Sequence, residues 1–215
     1  MLLPFDFQTD PYLVLDFSAT NPDLASLDLT NTSVFTEYVF SKLRASGAKV
    51  GVGGYNEHRV IYRRSDHFNT PTLGDRPREI HLGIDFWGDA GTPVFAPLDG
   101  IVHSFQDNAH FGDYGPTIIL EHNHAGKPLY SLYGHLTRHS LNELHEGKNV
   151  KAGEPLAEIG PYPENGDWPP HLHFQLMTDM LGLKGDFPGV CSVADRAKFL
   201  AICPNPNRLL NIKGL

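Results

Sequence analysis

What most limits the fold of this chain is a series of short β-branched and aromatic segments with no helix-length stretch between them. They read R-V-I-Y (59–62), P-V-F-A (93–96), G-I-V-H (100–103), T-I-I-L (117–120), L-Y-S-L-Y (129–133), P-L-A-E-I (155–159) and H-L-H-F-Q-L (171–176). Gly, Pro, Asn or Asp stands between them, as strand-and-turn sequences require. Strands that follow one another without crossover helices pair antiparallel, so the pattern predicts a mainly β fold, a sheet or a sandwich-barrel hybrid. The 21 Gly and 17 Pro are dispersed along the chain as punctuation rather than gathered into low complexity.

Helix signals occur only toward the two ends. Phe35, Val39 and Leu43 fall four apart after a cap-type residue, and Gly47 closes the run, which predicts a core-packing helix from Thr32 or Ser33. A second helix is expected to start near Ser192, with Asp195 in its first turn, and to stop before Pro204. The first thirty residues read as an extended segment packed on the main body. G-V-G-G-Y at 51–55 reads as a flexible turn, because it lacks the strand-before and helix-after setting of a nucleotide loop. The expected organisation is an N-terminal extension over 1–75, a core domain over 76–180, and a C-terminal helix and tail over 181–215.

Several function classes fall away on composition. A net charge of −8, from 17 basic against 25 acidic residues, argues against nucleic acid, whose phosphates need a basic face. No stretch approaches the roughly 18 apolar residues of a membrane span. The first residues, M-L-L-P-F-D-F-Q-T-D, have no basic leader, and Asp6 and Asp10 interrupt the apolar run. They do not read as a secretory signal, and a cytoplasmic location is the expectation. Cys191 and Cys203 read as buried thiols without a role.

The histidines carry more information. There are 12 in 215 residues. In H-L-G-I-D (81–85), a fully extended strand would hold positions i and i+4 about 13 Å apart, too far for one metal ion. Leu-Gly-Ile is a poor helical stretch, while Gly83 offers a bend or bulge that would let both side chains converge. In H-L-H (171–173), residues i and i+2 project from one face of a strand. His135 follows an apolar run in Y-G-H-L. Spacing alone is weak evidence, since about 0.7 His-x-His pairs are expected by chance in such a chain. A second pair, His122 and His124, reads as a solvated turn, and His103, His110, His139 and His145 as surface or packing residues.

The combination H-L-G-I-D-F, G-T-P-V-F-A-P-L-D-G-I-V, Y-G-H-L, V-K-A-G-E-P-L-A-E-I-G and H-L-H-F, over about residues 80–177, resembles the lysostaphin/LytM-type zinc metallopeptidases, in that family's order. The resemblance implies a mostly antiparallel β fold with a groove, of the duplicated hybrid motif type, and activity on peptide cross-links of bacterial cell walls. It implies that His81, Asp85 and His173 bind one Zn2+, and that His135 and His171 stand beside the metal and assist catalysis. All five positions are filled, whereas some relatives have lost ligands and only regulate other enzymes. Three protein ligands would leave a fourth tetrahedral position for water, the arrangement of a catalytic zinc. Either histidine can then accept the water's proton, stabilise an oxyanion or protonate the leaving amine.

Departures from the family pattern bear on the substrate. The loop P-Y-P-E-N-G-D-W-P-P (161–170) replaces a Gly/Thr-rich one and makes that wall of the groove stiffer, with Trp168 in it. H-F-Q stands where H-F-E is common, so Gln175 removes a negative charge. Tyr114 is a candidate groove residue; Arg78 could hold a substrate carboxylate, though a surface salt bridge is the plainer reading. The leading expectation is a zinc-dependent endopeptidase acting on a peptide or peptidoglycan-like substrate. The alternative is a non-catalytic binding or regulatory module on the same zinc scaffold. A third reading, a lipoyl or biotinyl carrier domain or a sugar-phosphotransferase carrier protein, needs an exposed hairpin lysine or a phosphorylatable His pair; Lys151 is a candidate only by position, and neither role requires His81, Asp85 and His173 together.

Overall fold

The computed structural model describes residues 1–69 and 77–215, so the expected division of the chain at 75/76 lies outside the described residues. Among the described residues the strands are β1 (Tyr12–Leu15), β2 (Val50–Gly53), β3 (Arg78–His81), β4 (Ile84–Trp87), β5 (Pro93–Phe95), β6 (Gly100–Asn108), β7 (Gly115–His124), β8 (Lys127–Gly134), β9 (Asn149–Val150), β10 (Pro155–Glu158), β11 (His171–Met177) and β12 (Val190–Ser192). The helices are α1 (Thr32–Ser46), α2 (Arg196–Ile202) and α3 (Asn207–Leu210). Eight strands form one sheet in the order β1-β2-β4-β11-β8-β7-β6-β9, while β5 with β10 and β3 with β12 form separate pairs. All pairings are antiparallel except β1 with β2. The expected mainly β, antiparallel fold is therefore what forms, and no helix among the described residues is long and apolar enough to cross a membrane.

Both faces of the central strands are buried, which is why β11 reads apolar-polar yet has no exposed residue. Leu172, Phe174 and Leu176 point into one core with Val52, Ile84, Phe86 and Tyr133. The intervening residues, His171, His173 and Gln175, take the opposite face, as the two-residue period of a strand requires. On that face Tyr114 lies against His173, Gln175 meets Pro188 and Cys203, and α1 packs on Trp87 and Trp168. Asn31 caps this helix, its side chain accepting from the Val34 amide at 3.2 Å. Gly47 ends it at φ 68°, a left-handed conformation that glycine adopts without a Cβ clash. Phe35, Val39 and Leu43 are buried as their spacing predicts, and Phe35 meets the rings of Phe17, Trp87 and Trp168.

Two segments differ from their expected state. Residues 51–53 are not a turn: β2 lies inside the sheet, with Gly51 opposite Trp87 and Gly53 opposite Asp85. Glycine serves here for close approach, since a Cβ on Gly51 would stand 2.6 Å from a Leu15 methyl and one on Gly53 2.5 Å from Arg59 Nη2. R-V-I-Y is not a strand either. Arg59 makes one bridge to Ser18, and Ile61–Arg64 closes into a 3-10 turn. That turn lets the consecutive residues Ile61 and Tyr62 both bury, which an alternating edge strand cannot do. The C-terminal helix begins at Arg196 rather than Ser192, because Val190–Ser192 is taken into pairing with β3.

Because Phe35 has no exposed surface and supports both tryptophans, Phe35→Ala should lower stability by about 3–5 kcal/mol. Urea unfolding followed by tryptophan emission measures this. A change below about 1 kcal/mol would mean that α1 contributes no core.

Candidate metal centre

The site is a row of residues across the sheet. Gly53 pairs with Asp85, Asp85 with His173, and His173 with Gly134, in strands β2, β4, β11 and β8. Cross-strand partners share a face, so two polar side chains meet at the centre and a glycine flanks them on either side. The missing side chains are where other groups enter. A Cβ at Gly134 would stand 2.5 Å from the Tyr114 ring, and the space at Gly53 holds the Arg59 guanidinium. In the next row Trp87 pairs with His171, and the two rings stack with centroids 4.0 Å apart and planes 14° apart.

His81 joins from the end of β3. The chain breaks at Leu82 and Gly83 before β4 resumes, the bend that H-L-G-I-D predicts. A side chain on Gly83 would stand 2.7 Å from both the His173 ring and the Phe174 carbonyl. The result is three atoms in mutual contact: His81 Nε2 to His173 Nδ1 at 3.0 Å, His173 Nδ1 to Asp85 Oδ1 at 3.0 Å, and His81 Nε2 to Asp85 Oδ1 at 3.2 Å. Among the described residues this is the one group of His, Cys, Asp or Glu able to hold a metal ion.

Hydrogen bonds on the outer side decide what those atoms are. His81 Nδ1 donates to the Gly54 carbonyl at 2.9 Å. Gln175 directs its amide nitrogen to the Pro188 carbonyl at 3.1 Å, so its oxygen accepts from His173 Nε2 at 3.0 Å. In the neutral rings the inner nitrogens therefore carry lone pairs. Burial first, and then the Arg59 charge, pushes the His81 pKa down to about 4, so that ring is neutral near pH 7. Burial works against ionisation of Asp85, but His81 and Arg59 outweigh it and hold the carboxyl well below its ordinary range. Two lone pairs and a carboxylate oxygen converging at 3.0–3.2 Å repel one another unless a cation lies between them. A tetrahedral ion with bonds of about 2.0 Å sets its ligand atoms about 3.3 Å apart, so the donor set fits zinc.

His135 and His171 stand beside this set, their ring centroids 4.1 Å apart. Each donates from Nδ1 to a backbone carbonyl at 2.8 Å, Asn165 for His135 and Pro169 for His171. Their Nε2 atoms are left as acceptors, and both residues line a cavity of about 280 Å³ that also touches Asp85 and His173. Burial pushes the His171 pKa down to about 4. Burial and the neighbouring His171 take His135 well below the imidazole range. His135 itself adopts φ 64°, a conformation uncommon outside glycine, held by bonds from its amide to the Tyr114 carbonyl and from the Gly160 amide to its own carbonyl.

The candidate wall residues also line the cavity. Trp168 is buried against Tyr62, Phe68 and the two accessory histidines. The Tyr114 hydroxyl lies 3.4 Å from His173 Nε2, and burial, then Asp186, raises its pKa well above that of a free phenol. Arg78 makes no ion pair among the described residues. It is half-buried over the Phe68 ring and donates to the His67 carbonyl, which replaces the expected surface salt bridge. His122 is not a solvated turn residue: it is buried on β7, bonded to the Asp99 carbonyl and Ser131 Oγ at 2.8 and 2.7 Å, whereas His124 is exposed. Gln175 does more than remove a charge, since it orients the His173 imidazole.

Sequence reasoning missed Arg59 and Tyr62 altogether. Arg59 is fully buried, donating to Glu57 Oε2 at 2.7 Å and, very closely, to Asp85 Oδ2. The signal in the sequence was Gly53-Gly54, which marks a close approach of other groups to the backbone.

A His/Asp/His donor set with two further imidazoles beside it, on a buried antiparallel sheet, is a candidate metal centre. Residues 79–184 match the model of Peptidase family M23. It is 31% identical over 129 residues to the DD-carboxypeptidase/endopeptidase Mpg of Neisseria meningitidis, covering 57% of this chain and 26% of that protein. It is 33% identical over 138 residues to an uncharacterized metalloprotease of Haemophilus influenzae, covering 60% and 26%. The solved structure of LytU superimposes with a TM-score of 0.43 at 27% identity, over 61% of this chain and 73% of that one. The chain spans about a quarter of the length of the curated relatives it matches.

Two outcomes follow from the hydrogen bonds and burial. Gln175→Ala removes the acceptor that fixes His173 and should weaken metal binding about 10- to 100-fold, read by competition with a chromogenic chelator. Unchanged affinity would leave Gln175 without this role. In the metal-free protein, His81 and His171 titrate at about 4 when folded and near 6.5 when unfolded. Above about 6.5 neither state binds the protons; below it the unfolded chain binds them first. Stability should therefore fall as pH drops from about 6.5 toward 4, with His81, His171 and the likewise lowered His135 taking up protons on unfolding. A flat stability profile across that window would contradict it.

Proposed function

We propose that this protein is a zinc-dependent hydrolase of peptide amide bonds, an endopeptidase acting on a peptidoglycan-like substrate. The observation that carries the reading is the convergence of His81 Nε2, Asp85 Oδ1 and His173 Nδ1, with their outer atoms committed elsewhere, next to two neutral imidazoles. The match of residues 79–184 to Peptidase family M23 and relatives named as DD-endopeptidases support the reaction class and the substrate class.

His81, Asp85 and His173 would hold the zinc, which when bound supplies a Lewis acid for the scissile carbonyl and for water. The remaining work falls to groups of the chain itself. His171 and His135 each present an Nε2 lone pair, with Nδ1–H anchored to a carbonyl that stabilises the ring once it is protonated. One of them takes the proton of the attacking water and returns it to the departing amine. Stacking on Trp87 fixes the plane of His171. Tyr114 stays protonated because its pKa is raised, so its O–H is a donor for charge developing on the carbonyl oxygen. Trp168 and Phe68 form an apolar wall that keeps bulk water from the proton transfers.

The test joins metal content to turnover. Purified protein should contain one zinc per chain and cleave muropeptides or cross-bridge peptides, followed by mass spectrometry. Chelation should abolish cleavage, and zinc should restore it. His81→Ala should lose both metal and hydrolysis; retention of both would refute the proposal.

A further inference from the structure

We propose that Arg59 is a positioning residue of the metal centre, holding Asp85 to a single donor oxygen from a segment outside the stretch matched by the family model. The inference rests on the reading of His81, Asp85 and His173 as metal ligands and adds a function for a residue before position 79.

Arg59 has no exposed surface. A guanidinium removed from water costs several kcal/mol unless it is fully paired, and here every nitrogen has a partner. Nε donates to Glu57 Oε2 at 2.7 Å, Nη1 to Asp85 Oδ2 and to the Tyr62 hydroxyl at 3.3 Å, and Nη2 to the Gly54 carbonyl at 3.4 Å. Phe17 lies beneath it, 5.5 Å from the ring centroid. The two oxygens of Asp85 are thereby divided: Oδ1 faces His81 and His173, and Oδ2 faces Arg59. A carboxylate with Oδ2 engaged in this way has only Oδ1 to offer an ion. That keeps the protein's donor number at three and leaves room for water and substrate.

The same segment also fixes the other ligand. The Gly54 carbonyl orients His81 Nδ1, the His81 amide donates to the Glu57 carbonyl at 3.0 Å, and the Asn56 amide donates to the His81 carbonyl at 2.8 Å. Residues 53–59 therefore follow the strand that ends in His81 and brace two of the three ligands. Glu57 cancels the charge of Arg59 at a distance, so the effect on Asp85 is local. With Oδ2 bonded to Arg59, the carboxylate is a weaker donor than Asp85 alone would be.

The test reads coordination rather than activity. Full-length wild type and Arg59→Met are loaded with zinc for X-ray absorption and with cobalt(II) for visible spectroscopy. Wild type should show four light-atom donors and the intense cobalt bands of a four-coordinate ion. Arg59→Met should show a fifth donor as Asp85 becomes bidentate, a several-fold fall in cobalt absorptivity, and a kcat lowered about 10- to 100-fold. Arg59→Lys, which keeps a cation at Oδ2, should restore the four-coordinate spectrum. If Arg59→Met does not fold because Glu57 is left unpaired, the double variant Glu57→Gln/Arg59→Met removes that charge, and its spectrum decides. A variant that binds one equivalent of metal with the wild-type spectrum overturns the role of Arg59. Wild type that binds no metal overturns the metal reading itself, which is a separate result.

Discussion

The antiparallel register of β4 against β11 is the constraint on which the rest of the site depends. It sets Asp85 opposite His173 and Trp87 opposite His171. Slipping that register by one residue would turn Asp85 and Trp87 to the opposite core and put Ile84 and Phe86 among the histidines. The apolar residues on the other face of these strands therefore do more than stabilise the sheet. By burying Phe86 and Phe174 completely, they make every slipped pairing expensive and so specify which polar atoms meet.

Given that register, electrostatics determine the character of the site. Its four imidazoles are at most 6% exposed, and burial penalises the charged form of His81, His135 and His171. Backbone carbonyls take the outer Nδ1–H of His81, His135 and His171, and Gln175 takes the outer Nε2–H of His173. None of these acceptors is ionised. A carboxylate at position 175 would turn a second oxygen toward the Pro188 carbonyl, where the glutamine now donates. Here the amide is the group that satisfies both neighbours, which gives a physical reason for glutamine at this position.

Much of this was legible in the sequence, and what was hidden has a common cause. The alternation in H-L-H-F-Q-L, the four-residue spacing on α1 and the bend at Gly83 are local patterns, and each is realised. The five site residues also converge, although spacing alone could not have brought His81 and His173 together across ninety positions; the order of motifs supplied that. What failed was wherever tertiary contact overrides local preference. G-V-G-G-Y has the composition of a turn, yet its glycines are needed in a strand because Leu15, Trp87 and Arg59 occupy the space their side chains would fill. R-V-I-Y has the composition of a strand, yet Arg59 is drawn inward to a carboxylate 26 residues away in sequence. His122 looked like a turn residue because its partner, Ser131, is on the next strand.

The family match begins at residue 79, but the physical unit does not. Strand β2 is hydrogen-bonded along β4, Phe17 and Phe35 pack against Trp87, and Tyr62 and Phe68 wall the cavity. Without those residues, Trp87 would present an indole face to water directly behind His171, and Asp85 would regain a free oxygen. His81, Asp85 and His173 thus sit inside the matched stretch, while several of the groups that fix their geometry and wall the cavity come from before it. Residues of the first segment are on this account part of the chemistry, and variation there would tune the metal and the pocket without altering any residue that the motifs identify.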